Sequence, residues 1–424
     1  MESTLLRNKP FMTLMTAQLI SSLGDWLSIV AIITMVGMKW NATPMEVSFV
    51  ILCLALPMAL LGPFTGTVAD RVNRKWLMIV SDLVRAGLIL VLAIASSIWV
   101  VYVCLFLIGL LSAVFIPAKN GKLKELVKQE DMKSAMSISS MIGSTTKVLG
   151  PLLSGMLVTV FGAQLVFMID SATFFLSALL IIAIPKSVII LEDDGNEDEE
   201  ESHTFKDDFK TGLHFIKQSR YLVVGMFVLG LSLMILQLSD SQIIVLVREL
   251  SNASPNLFGL IVTGSGLGMF LAGLVLTKKT DYNALLLMFL GVCGIGVSFG
   301  MMGLLTSLDL SFSSIWGPVL GFLAGISAGL IFIPFQASVQ TETPARMTGR
   351  VFGVINSVTT SATIVGPLLG GWLATWLGIL PTFMITASLL IVVSLIGLIS
   401  REKIERGKKH VSESKQAAQG TTPG

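Results

Sequence analysis

Four charged residues stand inside long apolar runs of this sequence. Asp25 lies in Ser21-Ser22-Leu23-Gly24-Asp25-Trp26, Lys147 one helical turn before Gly150, Asp170 in a third run, and Asp240 among Gln237, Ser239, Ser241 and Gln242. At membrane depth a charge costs a few kcal/mol unless it is paired or hydrated, so such residues mark ion pairs, proton carriers or substrate contacts. Asp82 and Arg85 add an i, i+3 couple, the spacing of a local helical ion pair. The histidines His203, His214 and His410 all fall outside the apolar runs, which leaves carboxylates as candidates for proton exchange. ATP chemistry has no support. The stretch Gly143-Ser144-Thr145-Thr146-Lys147 lacks the second glycine of a phosphate loop and sits within an apolar helix.

The elements that must position these residues follow from composition. The chain has 424 residues, 53% hydrophobic and 13% charged, with a mean hydropathy of +0.81. A soluble domain carries about 25% charged residues, so a water-soluble globule is excluded and the chain reads as a polytopic membrane protein, not an enzyme. With 29 basic and 27 acidic residues there is no basic excess to suit nucleic acid. Cys53, Cys104 and Cys293 all lie in apolar runs and read as small core residues, with no disulfide framework, metal cluster or cofactor implied.

A bilayer core about 30 Å thick needs about 20 helical residues. Apolar runs of that length lie near 11–38, 45–68, 76–95, 98–118, 134–160, 164–184, 221–247, 257–277, 284–306, 315–336, 351–376 and 382–400, which predicts twelve spans. The first run is expected to be a retained helix, because it is too long for a signal-peptide core. An even count puts both termini on one side, and 25 of the 29 basic residues fall on that side. Only Lys39 and Arg248 fall opposite, and Arg85 and Lys147 lie within spans. The positive-inside rule then makes both termini cytoplasmic, in a multi-pass protein of the cytoplasmic membrane.

The polar stretch 185–220 divides the spans six and six. Its acidic tract, Glu192 to Glu201, reads as a solvated linker. Phe205, Phe209, Leu213 and Ile216 behind it recur at helical spacing and suggest either an interfacial helix or a simple tether. The expected organisation is a six-helix bundle over 1–184, this linker, a second bundle over 221–400 and a tail over 401–424. The halves are copies. Gly150-Pro151-Leu152-Leu153-Ser154-Gly155 matches Gly366-Pro367-Leu368-Leu369-Gly370-Gly371 at an offset of 216, and Phe161-Gly162 falls on Leu377-Gly378. Phe115-Ile116-Pro117 matches Phe332-Ile333-Pro334 at 217. A duplicated bundle is the architecture of a transporter that rocks around a site between its halves.

The loop after the second span reads Gly66-Thr67-Val68-Ala69-Asp70-Arg71-Val72-Asn73-Arg74-Lys75. Asp70 can accept charge-assisted bonds from Arg71 or Arg74, and Asn73 is expected to serve a tight turn because asparagine tolerates positive φ. This run resembles the loop signature of the major facilitator superfamily, G-x-x-x-D-R-x-G-R-[RK], with Asn73 in place of a glycine. The resemblance implies that Gly66, Asp70, Arg71, Arg74 and Lys75 latch the cytoplasmic ends of the bundles together, with Asp82 and Arg85 joining them or forming a structural pair. The second-half equivalent, Gly273 to Lys279, has Thr277 in place of the aspartate, so the latch is expected to be asymmetric. The motif at Gly150, Pro151 and Gly155, with its copy at Gly366, Pro367, Gly370 and Gly371, resembles the antiporter signature of that superfamily. Its small residues allow close helix approach and its prolines a bend.

Ile169-Asp170-Ser171, Ile184-Pro185-Lys186 and Gly349-Arg350-Val351-Phe352-Gly353 resemble, within that superfamily, the macrolide-efflux type of drug:proton antiporter. What the likeness implies is a monomer that exports small amphipathic or hydrophobic compounds in exchange for protons. Spans 1 and 7 would line the cavity and span 5 border it, so Asp25 could face Lys147 and exchange protons near neutral pH. Asp240 and Gln237 would be further cavity residues, and Asp170 a structural hydrogen-bonding group. Two other readings stand beside it. Leu23-Gly24-Asp25 and Phe115 to Gly121 are also similar to lysophospholipid carriers, which would make the chain a lipid flippase. A non-transporting sensor on a transporter fold is the third.

Overall fold

A computed structural model describes residues 4–128, 131–185, 211, 213–217, 220–251, 254, 256–278, 282–343 and 348–419, and within 62–70, 133–144 and 402–419 many side chains lie outside the described set. Among the described residues there are helices and no strands. Eleven helices are long and apolar enough to cross a bilayer. One of them, Met132–Ala183, turns at Gly162, whose φ of 76° and ψ of 166° are not helical, and supplies two spans. The twelve spans are therefore Lys9–Thr34, Pro44–Arg71, Arg74–Ala93, Ile98–Leu126, the two limbs of Met132–Ala183, Arg220–Asp240 with Ile243–Arg248, Leu257–Lys278, Ala284–Ser307, Ser313–Glu342, Thr348–Leu377 and Ile379–Gln419. They are called spans 1 to 12 below. The end that carries the chain termini is called the terminal end, and the other the distal end.

Local chemistry explains where these helices start and bend. Asn8, Asn73 and Asn283 each accept a backbone N–H of the first turn, from Phe11, Trp76 and Leu286, and so cap spans 1, 3 and 9. The φ of Asn73 is −59°, so it serves as a helix cap and not as the positive-φ turn residue expected from the sequence. Two helices depart from the expected regular spans. Span 1 widens into a π turn over Met35–Lys39. Span 7, expected as one helix over 221–247, is interrupted at Ser241 and Gln242. Span 4 continues to Leu126, beyond the expected 118, and the last helix runs on to Gln419 through most of the expected tail. Of the expected interfacial helix, Phe205 and Phe209 lie outside the described residues, while Ile216 is buried against the core.

The sequence repeat is a repeat of contacts. A Cβ on Gly150 would strike Trp26 of span 1; one on Gly366 would strike Gln237 of span 7, 211 residues after Trp26. Ser154 donates to the carbonyl of Leu27, while its counterpart Gly370 lies against the carbonyl of Leu238, again 211 later. Gly155 abuts Gly259 and Thr263 of the opposite half, and Gly371 abuts Pro44 and Ser48 of its own opposite half. The first glycine of each copy thus seats its helix on the bundle's own leading span, and the last seats it on the other bundle. Gly162 and Gly378, both at positive φ, turn the chain after spans 5 and 11.

Candidate functional site

The charged residues of the first half converge on one guanidinium. Arg85 of span 3 is 2% exposed and pairs with Asp82, which is fully buried, one turn earlier on the same helix. Its other amino group stands 3.8 Å from Oδ1 of Asp25 on span 1, whose side chain keeps 45% of its surface accessible. Ser112 of span 4 accepts from Arg85 Nη1 at 3.4 Å, and Ser177 of span 6 donates to Asp82 Oδ2 at 2.7 Å. The rings of Phe115 and Phe174 face the guanidinium carbon at 4.7 and 4.4 Å, positions that favour a cation. Beside this hub Asp170, fully buried, accepts from the hydroxyl groups of Ser28 and Thr173. Gly24 lies directly against that carboxylate, and a Cβ there would displace it. Spans 1, 3, 4 and 6 are thereby tied by a single cation, and Asp25 is the carboxylate of the cluster that keeps accessible surface.

This arrangement differs from the expected one in one respect. Asp25 meets Arg85, whereas Lys147 is exposed and makes no ion pair among the described residues. Asp82 and Arg85, expected either to join the loop cluster or to form a structural pair, form the pair, about 12–17 Å along span 3 by helical rise, inside the bundle. Of that loop cluster, the side chains of Gly66 and Asp70 lie outside the described set, and Arg71 is exposed. Arg74 pairs with Glu125 of span 4 at 2.9 Å, and the same Glu125 accepts from the buried Lys122 at 2.8 Å. Lys75 donates to the carbonyls of Ile182 and Ile184, where span 6 ends. These bonds hold the terminal end of the first bundle together. Sequence reasoning missed Glu125 and Lys122, although their i, i+3 spacing was a usable signal. Nothing in the sequence marked Ser112, Phe115 or Phe174 as partners of Arg85, or Ser177 as a partner of Asp82.

The second half repeats the scaffold without the charges. Ser28 and Asp170 correspond to Ser239 and Thr386, and Ser239 donates to the Thr386 hydroxyl at 2.7 Å. Aligned on the capping asparagines 73 and 283, Asp82 and Arg85 fall on Val292 and Ile295, both buried in the apolar core. Asp25 falls on Leu236. Asp240 is exposed at the break in span 7, and Gln237 is half-buried beside Gly366.

Between described residues, every hydrogen bond that crosses from one half to the other lies at the distal end. Ser48 donates to the carbonyl of Pro367 at 2.5 Å, and Gln242 donates to Pro44 O at 3.1 Å and Ser48 Oγ at 2.9 Å. Arg248 donates to the carbonyls of Gly37 at 3.1 Å and Ala42 at 2.7 Å. Towards the terminal end, Cβ atoms at Gly143 of span 5 and Gly353 of span 11 would meet nothing within 4 Å. The halves are sealed at one end by backbone contact, by the neutral donors Ser48 and Gln242 and by the guanidinium of Arg248, with a charged cluster set in the interior of one of them.

Comparison with known proteins agrees with this architecture. The family model of the Major Facilitator Superfamily matches residues 14–363 and 229–423. An MFS-type transporter of Bacillus subtilis (strain 168), YfiS, is 37% identical over 99% of this chain and 100% of its own length. Macrolide efflux protein A of Enterococcus faecalis is 24% identical over 69% of this chain and 91% of its own. The crystal structure of the nucleoside transporter NupG superposes with a TM-score of 0.67 at 11% identity, covering 92% of this chain and 98% of that one, a likeness of fold. Twelve spans in two matched bundles, sealed against each other at one end, together with that family match, place the chain in the Major Facilitator Superfamily of membrane transporters.

Proposed function

We propose that this transporter exports amphipathic or hydrophobic compounds of the macrolide and drug class across the cytoplasmic membrane in exchange for protons. The observation that carries the reading is Asp25, a half-exposed carboxylate held 3.8 Å from the buried Arg85 in one half of a bundle pair whose other half is neutral at the matching positions. A carboxylate that solvent reaches beside a fixed cation can bind a proton in one state of the cycle and release it in another. The one-sided placement suits coupling, since a proton arriving there changes the first bundle alone. Likeness to macrolide efflux protein A supports the substrate class. With the termini cytoplasmic, the seal lies on the outer side and the chain faces inward. Asp240, exposed where span 7 breaks, is the second candidate for contact with substrate or protons. The test is proton release from the purified protein on adding a macrolide or a hydrophobic cationic dye. Release in the native protein and its loss in Asp25→Asn supports the reading; normal coupling in Asp25→Asn refutes the assignment.

A second reading, lipid transport, has one observation in its favour. A groove of about 350 Å³ opens between spans 1, 5 and 6, lined by Ile20, Leu23, Leu27, Leu153, Met156 and Leu157, with Thr173 at one side. Its lining suits an acyl chain. Uptake of a labelled lysophospholipid, compared with extrusion of a dye by the same cells, separates the two.

A further inference from the structure

Arg248 is one of only two basic residues that the topology leaves at the distal end, where nothing in the sequence explained it. In the fold it stands at the end of the short second segment of span 7, Ile243–Arg248. One of its amino groups donates to two carbonyls of the opposite half, Gly37 and Ala42. Gly37 belongs to the π turn that ends span 1, and carbonyls in the last turn of a helix lack intrahelical donors and attract cations. Position 37 is also the counterpart of position 248 at the 211-residue offset that relates spans 1 and 7. Arg248 therefore meets its own equivalent position, so its bond lies close to the pseudo-twofold axis between the bundles. Next to it, Ile244 fills the space that a side chain at Gly37 would need.

We propose that Arg248 is the latch of the distal gate, a positioning residue that holds the halves together in the state seen here. Release of its two carbonyls is part of opening that end. The companion contact is built to yield. Gln242 is fully buried and donates to Pro44 and Ser48, yet its Oε1 has no hydrogen-bond partner among the described residues. A buried acceptor left unsatisfied weakens the state that buries it. No ion pair between described residues crosses the seam, and at the distal end Arg248 supplies the charge-assisted bonds that do. The proposal rests on the alternating-access part of the functional reading and on neither its substrate nor its coupling ion.

The experiment uses the full chain with Cys53, Cys104 and Cys293 replaced, and spin labels on Ser96→Cys and Ser311→Cys, exposed loop positions in the two halves at the distal end. Pulsed dipolar spectroscopy reads their separation without substrate. In Arg248→Ala the ratio of long to short distances should rise on the order of tenfold, while Arg248→Lys, which keeps a cationic donor, stays near the native ratio. Arg248→Gln, which keeps a donor but no charge, should shift the ratio the same way by less, and serves alone if Arg248→Ala does not fold. A distance distribution unchanged in Arg248→Ala, or in Arg248→Gln where that variant stands alone, overturns the proposal. Because neither a transport substrate nor a proton gradient enters the measurement, a failed export reading would leave this result standing.

Discussion

The two bundles share a scaffold and differ in what the scaffold holds. Both seat their fifth helix on their first through the same glycines, and both turn at a positive-φ glycine before the last helix. The first then builds Asp82, Arg85 and Asp170 into its interior with the half-exposed Asp25 beside them, where the second has Val292, Ile295, Thr386 and Leu236. A duplicated fold does not need those charges to stand. Only the first half bears the cost of charges at membrane depth, and the pairing of Arg85 with Asp82 and Asp25 offsets it. Removing the cation should therefore have the largest effect. Arg85→Leu strands a buried Asp82, and taking one partner from a buried pair costs about 3–5 kcal/mol. Ile295→Val at the matching site costs about 0.5–1.5 kcal/mol. Thermal unfolding in detergent, followed by size-exclusion chromatography, reads the difference; equal effects at both sites would dissolve the contrast between the halves.

Asp25→Asn separates work from folding. An amide can occupy the same half-exposed position, so the unfolding midpoint should hold while gradient-driven export falls about tenfold or more, within the usual range of coupling energies. Asp240→Asn should reduce export by less, because it has no fixed cation beside it among the described residues. A larger loss at Asp240 would move the coupling site to the second half. Drug export from energised vesicles, measured with each variant, ranks the two.

The seam offers a third and smaller contrast, between its two ends. Gly155→Ala and Gly371→Ala place a methyl against the opposite half, and overpacking of this kind costs about 1–3 kcal/mol. Gly143→Ala and Gly353→Ala meet open space and should be neutral, or stabilise by about 0.5–1 kcal/mol through helix propensity. Unfolding midpoints of the four variants test whether the seal is confined to the distal end.

How much of this was legible beforehand depends on the range of the interaction. Twelve spans and the duplication follow from hydropathy and from a repeat that preserves glycines, whereas the positive-φ turns fall at Gly162 and Gly378 and not at Asn73, where one was expected. The site was legible only as a set of isolated charges. Pairing Asp25 with Lys147 assumed that two mid-span charges in one bundle would meet. The fold turns Arg85 inward instead, sandwiched by Phe115 and Phe174, and leaves Lys147 exposed. Which face a residue occupies depends on helix rotation and crossing, and periodicity carried little directional signal in spans 1 and 5, which hold Asp25 and Lys147 and are apolar nearly all round. The break in span 7 was hidden for a related reason. Gln242 is held by Pro44 and Ser48 of the other half, which no local rule marks, while Ser241 donates back to the carbonyl of Gln237 on its own span.

The smallest effect concerns the loops that carry the distal end. In the second half Asp309 accepts from the backbone N–H of Ser251 at 3.2 Å and from its hydroxyl at 2.6 Å, which ties the loop after span 7 to the loop after span 9. In the first half Glu46 closes its own loop, accepting from Thr43 N at 2.7 Å and Thr43 Oγ1 at 3.0 Å. Only the second arrangement joins two loops, so only there should a proton loosen one against the other. The Ser251 bonds hold the Asp309 carboxyl below its ordinary 3.8. A carboxylate held low contributes fully above that ordinary value and loses its contribution as pH falls through the lower, folded value. The tie is therefore intact near neutral pH and released only in strong acid, outside the range in which proton exchange at Asp25 is proposed. Asp309→Asn should reproduce the acid state at pH 7, speeding hydrogen exchange of the Ser251 amide severalfold while leaving the unfolding midpoint almost unmoved, as expected of an exposed contact. An unfolding midpoint that moved with it would mean that the distal loops of the second half carry more of the seal than their exposure implies.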